Sequence, residues 1–286
     1  QHEAGNTLED LGAIGSWVNN IGDLSLREGY KVKVTRDCQF QLKGIVPILP
    51  MEIPLKAGWN IIGFPRQVTA NAKEVVQTLI DRGTLIKVQD EKGYSVEDWG
   101  AFGGWQNNIG NFERGKGYKV KVASEDTLII AESYTKAAVA KNADWLAPCY
   151  FIPATNENGV DHMNINMVGL QDDWLQPGDE LGVFDGELCV GAVHLVPHHL
   201  SAKLVSIPVS AADKSGLPGF TEGHPIRLKL WKSSTGEMII LEPDILQGSS
   251  VFRKNESTFA SLAKYSTTGS EQVGKDRSEK FNLYPN

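Results

Sequence analysis

Six carboxylates crowd one short stretch of the chain: Asp172, Asp173, Asp179, Glu180, Asp185 and Glu187 fall within 16 positions. Hard oxygen ligands clustered on loops are what Ca²⁺ requires. Asp172, Asp173, Asp179 and Asp185 therefore form a candidate calcium site, although their spacing matches no EF-hand. Glu180 and Glu187 read as strand residues facing solvent, and solvated loop charge is the competing account of the whole group. His194 at a strand end and the loop pair His198 and His199 are nitrogen ligands of the kind that bind Zn²⁺. No cysteine or carboxylate completes a zinc pattern around them, so they read as exposed loop histidines. Trp17 and Trp105 are each followed, one residue on, by Asn-Asn-Ile-Gly. Each is either a platform on which a glycan ring stacks or a Trp packed over a turn, with Asn tolerating positive φ. There is no G-x-S-x-G elbow, no H-E-x-x-H and no phosphate loop. Adjacent acids such as Asp172 and Asp173 do not define the separation that glycoside hydrolysis needs. The expectation is a protein that is not an enzyme.

Bulk properties narrow the partners. The chain has 286 residues, 41% of them hydrophobic, and a net charge of −7. That is room for two or three packed domains. An acidic balance disfavours nucleic acid and anionic membranes, both of which recruit clustered Lys and Arg. No apolar run reaches the roughly 18 residues of a membrane-spanning helix. Cys38, Cys149 and Cys189 show no C-x-x-C spacing. Cys149 and Cys189 are either a bridge within one domain or free buried thiols.

The elements that must position these residues include an internal repeat. Gly12 to Gly22, with Trp17, matches Gly100 to Gly110, with Trp105, at an offset of 88 positions. The same offset carries Gly29-Tyr30-Lys31-Val32-Lys33-Val34 onto Gly117-Tyr118-Lys119-Val120-Lys121-Val122 without a gap. Residues 46–134 read as a complete copy. Ile53 to Phe64 is expected to be a strand pair around a Gly turn. Asn71 is a helix N-cap with Glu74 completing a capping box, Val75, Val76, Leu79 and Ile80 form the apolar stripe, and Gly83 ends the helix. Thr84 to Gln89 and Tyr94 to Trp99 flank a tight turn. In Gly117–Val122 strict alternation puts Tyr118, Val120 and Val122 in a core and Lys119 and Lys121 in water. Residues 1–45 read as a partial copy, because the counterpart of Ile53 would fall about 35 residues before Gln1. A half-domain of this kind exposes sheet edges, and another chain can pair with them.

Residues 135–143 read as an alanine-rich linker. From 144 to 265 short alternating strands follow at regular spacing: His162–Val168, Glu180–Phe184, a hairpin through Asp185-Gly186 into Glu187–His194, then Leu204–Val209, Ile226–Trp231 and Met238–Leu241, with a turn at Asn156–Gly159. That pattern predicts a β-sandwich. The fold class is therefore mainly β: small tandem repeat modules, one with a short helix, followed by a sandwich. Residues 266–280 are a polar linker, and 281–286 close the chain.

The closing Phe281-Asn282-Leu283-Tyr284-Pro285-Asn286 resembles the opening of the C-terminal sorting domain of cargo proteins of the Bacteroidota type IX secretion system. The stretch Gly178 to Gly191 is similar to a β-sandwich module common in such proteins, and the unit from Gly58 to Val122 resembles repeats found in them. The resemblance implies export to the cell surface or medium. It also marks Asp126-Thr127-Leu128 as similar to their O-glycosylation motif, with Thr127 as the acceptor. Asn255-Glu256-Ser257 fits the N-glycosylation pattern. The expected function is a structural or adhesive surface protein whose partners are other surface proteins or copies of itself. The alternative is a carbohydrate-binding accessory region of a secreted enzyme, and exposed aromatic rings on a sheet face would favour it.

Overall fold

The repeat first shows itself in two hairpins built to one plan. In the computed structural model, which describes residues 1–41, 43–135, 147–155, 159–171, 173–214 and 216–262, β1 (Leu8–Asp10) pairs with β2 (Trp17–Asn19). Asp10 opposes Trp17 and Leu8 opposes Asn19. Eighty-eight positions on, β7 (Ser95–Asp98) pairs with β8 (Trp105–Asn107) in the same register, Asp98 opposite Trp105 and Val96 opposite Asn107. Both hairpins close through a 3₁₀ turn that starts on a left-handed glycine, Gly12 at φ 59° and Gly100 at φ 52°. In both, the aspartate carboxylate caps that glycine's N–H, and the Asn19 and Asn107 side chains clamp Gly22 and Gly110. The phenols of Tyr30 and Tyr118 accept the backbone N–H of Ser25 and Glu113 at equivalent places. Identical turn chemistry at identical spacing produces identical local structure.

The second copy packs its own core. Between the hairpins lie β3 (Met51–Leu55), β4 (Gly58–Gly63), β5 (Ala70–Asn71), α1 (Ala72–Val75), α2 (Gln77–Asp81) and β6 (Leu85–Gln89). After β8 come β9 (Asn111–Phe112), β10 (Gly117–Val122) and β11 (Asp126–Ile130). One sheet runs β4-β10-β6-β7-β8, while β3 pairs with β11 and β5 with β9. Thus β3 and β4 do not pair with each other as the sequence suggests; the Gly58 turn sends the chain from one sheet to the next. Tyr118, Val120 and Val122 are buried with Val75, Val76, Leu79 and Leu128. Asn71 caps the helix by accepting the Lys73 N–H at 3.0 Å. Glu74 does not complete a capping box. Its carboxylate turns to the Thr135 amide and hydroxyl, which tethers Thr135, expected in the linker, to the repeat. The rest of that linker, Trp145, the turn residues 156–158, the linker 266–280 and the tail 281–286 lie outside the described residues.

The last section is a two-sheet β-structure. Its strands are β12 (Val160–Val168), β13 (Glu180–Asp185), β14 (Leu188–His194), β15 (Leu204–Ala211), β16 (Arg227–Trp231), β17 (Met238–Leu241), β18 (Pro243–Gln247) and β19 (Ser257–Leu262), with α3 (Pro197–Ala202) between β14 and β15. The sheets run β15-β12-β19-β18 and β14-β13-β16-β17. Met163, Ile165 and Met167 of β12 meet Leu181, Val183, Leu228 and Leu230 in the core between them.

The opposite face of β12 is buried as well. His162, Asn164 and Asn166 look outward from the core, yet all are covered by the repeat sheet. Asn164 donates to the Gly93 carbonyl at 2.9 Å and accepts from the Gln89 amide at 3.1 Å. Lys87 Nζ reaches Ser257 Oγ at 2.7 Å, with Glu97 at 3.7 Å. Lys119, expected in water, bonds Asn255 and faces Asp161. Trp99 packs edge-on to Phe259, and Phe102 stacks on it, closing the apolar end of the seam. Replacing Asn164 by Ala would remove two bonds of this seam and leave the Gln89 amide and the Gly93 carbonyl only their longer contacts at 3.4 Å. The expected loss is about 1 kcal/mol in a denaturant unfolding curve, the scale of a lost hydrogen bond.

Candidate functional site

The acidic stretch does not converge. Asp179 and Asp185 flank and end the six-residue strand β13, so roughly 20 Å of extended chain separates them. Each carboxylate serves its own surroundings. Asp179, fully buried, accepts the amides of Gln176 and Ser233 and pairs with Lys232. Asp185 accepts the Thr221 amide at 2.8 Å and sits 2.7 Å from His224 Nδ1. Asp172 lies outside the described residues. Among the described residues no group of three or more His, Cys, Asp or Glu side chains is arranged to hold a metal ion.

Glu180, expected at the surface, is fully buried. It accepts the backbone N–H groups of Cys149, Tyr150 and Phe151 at 2.7, 3.0 and 2.9 Å and so straps residues 149–151 across the outer face of β13. Burial pushes its carboxyl up, but those three donors and the Cys149 thiol outweigh burial and leave it below the usual carboxylate range. Glu187 stays in solvent and pairs with Lys229. All three cysteines are free thiols, so Cys149 and Cys189 are not bridged. Burial raises the Cys189 thiol to about 11, which makes it a poor nucleophile at neutral pH.

His198 and His199 sit in α3, not in a loop. His199 is buried against the start of that helix, where it meets the Val196 amide, and burial lowers it to about 4. The hint was Pro197, a favoured first helical residue. Asp185 and His224 line an open depression of about 330 Å³ with Gly186, Pro225 and Arg227. No Ser, Thr or Cys is among its lining residues. Asp126 of the glycosylation-like motif is bound to Arg82 and Thr84, and the half-buried Thr127 opposes Pro54 in β11.

The repeat is where surface chemistry differs most from what its own sequence specifies elsewhere. Trp105 is half-buried against the repeat core, whereas its counterpart Trp17 is 66% exposed. Gly117–Val122 is a strand paired on both sides. The identical sequence Gly29–Val34 has backbone bonds at Gly29 and Lys31, and Lys33 pairs with Asp213 at 3.5 Å. The Gly29 amide bonds the Ile61 carbonyl at 2.8 Å on the free edge of β4, and Gln1 pairs with Lys31. Past Lys31 no described strand accompanies it, and Val32 and Val34 are 66% and 52% exposed. Phe40, Ile45, Val46 and Ile48 follow, also exposed. A second exposed apolar surface lies on the outer face of β16 and β17. There Tyr150 stacks on Trp231 at 4.8 Å, beside Met238 and Ile240. Nothing in the spacing of Tyr150 and Trp231 announced that pairing, because Glu180 creates it.

No family model matches the chain, and no curated protein or solved structure matches it.

Substituting Asp179 by Ala would leave Lys232 unpaired with little access to water. The expected cost is about 3–5 kcal/mol of unfolding free energy, as for other broken buried pairs, read by thermal or urea denaturation.

Proposed function

We propose that this chain is a non-catalytic structural or adhesive segment of an exported surface protein, and that it assembles with copies of itself through its first, partial repeat. One observation carries the reading. The sequence Gly-Tyr-Lys-Val-Lys-Val is a doubly paired, core-forming strand at 117–122, and at 29–34 it lies in no described strand, is backbone-bonded at Gly29 and Lys31, and leaves Val32 and Val34 exposed. An unpaired strand with one apolar face is a template for pairing in trans. Trp17, Phe40, Ile45 and Ile48, in the same first stretch of the chain, are exposed as well.

Two further features agree with this reading. Asp179, Glu180, Asp185 and His199 are engaged in holding segments together. The seam between repeat and sandwich makes a stiff spacer of them. Export follows the type IX resemblance, and the net charge of −7 sets nucleic acid aside as a partner. Carbohydrate binding is the second reading, and the exposed Tyr150 ring on its Trp231 support favours it, since an aromatic face on a sheet suits a sugar ring.

Light scattering coupled to gel filtration tests the first reading. The wild-type chain should grow in mean mass with concentration, and the pair Val32→Lys and Val34→Lys should return it to a monomer with unchanged melting temperature. A wild-type chain that is monomeric at every concentration overturns self-assembly. Glycan-array binding that is lost in Trp231→Ala would favour the second reading.

A further inference from the structure

We propose that the joint between the second repeat and the sandwich is an acid-sensitive hinge, closed while His162 is neutral and opened when its imidazole is charged. The geometry is that of a ring with no room for an added charge. His162 is 5% exposed, and it lies so close to Gly93 of the β6–β7 turn that a Cβ there would come within 2.5 Å of the ring. The charged groups facing it come from three strands: Lys119 from β10, Lys87 from β6, and Asp161 from β12 itself. Asp161 lies 3.8 Å from Lys119, and Glu97 of β7 lies 3.7 Å from Lys87. Two cations thus already face two anions. The amides of Gln89 and Asn255 are directed at the His162 carbonyl, so they satisfy its backbone and not its ring. Asp90, in the same turn, is held by the Lys92 and Tyr94 amides and bears on Tyr118 inside the repeat, so its carboxyl belongs to the module and not to the joint. A proton on His162 would add a third buried cation with no anion left to receive it.

Burial first, then Lys119, and last Lys87 lower the imidazole from 6.5 to about 4, with Asp161 opposing them. The sign follows directly. The closed joint binds fewer protons than an open one in which the ring titrates normally, so closure is lost as pH falls from 6.5 through about 4. At pH 5 those two values move the open/closed ratio by about 30-fold toward open. Lys87 and Lys119, both lowered to about 8 by burial, act in the same sense, tightening the joint as they discharge in base.

Small-angle X-ray scattering of the full chain, extrapolated to zero concentration so that self-association does not enter, tests the proposal. The radius of gyration should rise between pH 7 and pH 5 while far-UV circular dichroism holds steady. His162→Gln should remain compact at pH 5. An unchanged radius in the wild type, or opening of wild type and His162→Gln at the same pH, overturns the hinge. Should the variant not fold, an NMR titration of the wild-type His162 ring decides. A midpoint near 4–5 upholds the proposal, and one at 6.5 or above overturns it.

Discussion

The arrangement of this protein rests on β12 being buried on both faces. One face supplies Met163, Ile165 and Met167 to the core between the two sheets. The other supplies His162, Asn164 and Asn166 to a polar seam against the repeat. Buried polar groups are tolerable only when they are bonded, and here the Asn164 and Asn166 amides find partners, while Gln89 is bonded through its Nε2 and not its Oε1. Asn164 binds Gly93 and Gln89, and Asn166 accepts from Ser206 and approaches Glu97. A seam of this kind fixes orientation more than it adds stability. An apolar contact would slide, whereas directional bonds from five or six side chains permit one docking geometry. The apolar end at Trp99, Phe102 and Phe259 supplies the dehydrated surface that such bonds need to be worth anything against water.

The two copies of Gly-Tyr-Lys-Val-Lys-Val show how far local sequence carries. Turn and cap geometry repeats faithfully wherever it depends on neighbours in sequence. Examples are the Asp10 and Asp98 caps, the Asn19 and Asn107 clamps, and the tyrosine phenols on Ser25 and Glu113. The strand at 117–122 does not repeat at 29–34, because a strand has no hydrogen bonds of its own. Residues 117–122 have β4 and β6 beside them, and residues 29–34 have an edge contact at Gly29 and the Gln1 backbone at Lys31 but no strand alongside among the described residues. The same alternation therefore gives a core strand once and an exposed apolar ribbon once.

What was legible in the sequence follows the same division. The mainly β fold class, the β6–β7 pair, the helix cap at Asn71 and the Asp185-Gly186 hairpin depend on local chemistry and were readable, whereas the strand pair expected over Ile53 to Phe64 does not form. The reading failed where a distant segment decides. Lys119 reads as a solvent residue because the sandwich that covers it lies 136 positions away at Asn255. Glu180 reads as a surface acid because the strap it binds, residues 149–151, is 29 to 31 positions upstream. One signal was available: the outward residues of β12 are Asn, not Lys or Glu. Neutral amides alternating with core residues suit a face that is polar and yet dehydrated. The exposed Tyr150 and Trp231 pair had no signal, because it exists only through Glu180.

The residues with the most chemical potential are thus the ones most fully engaged as cross-links. Asp179 joins the approach to β13 with the turn after β16, Glu180 ties a strap to a sheet, Asp185 holds Thr221 and His224, and Glu74 anchors Thr135. The donors that Glu180 and Asp185 accept outweigh burial and hold both carboxyls below their usual range, which suits a brace. The side chains without such obligations are apolar and aromatic: Trp17, Val32, Val34 and Phe40 on the partial repeat, and Tyr150 and Ile240 on the sandwich. Under the proposed reading, recognition falls to those surfaces. The polar residues have a different part, which is to hold those surfaces at a fixed distance and angle from one another.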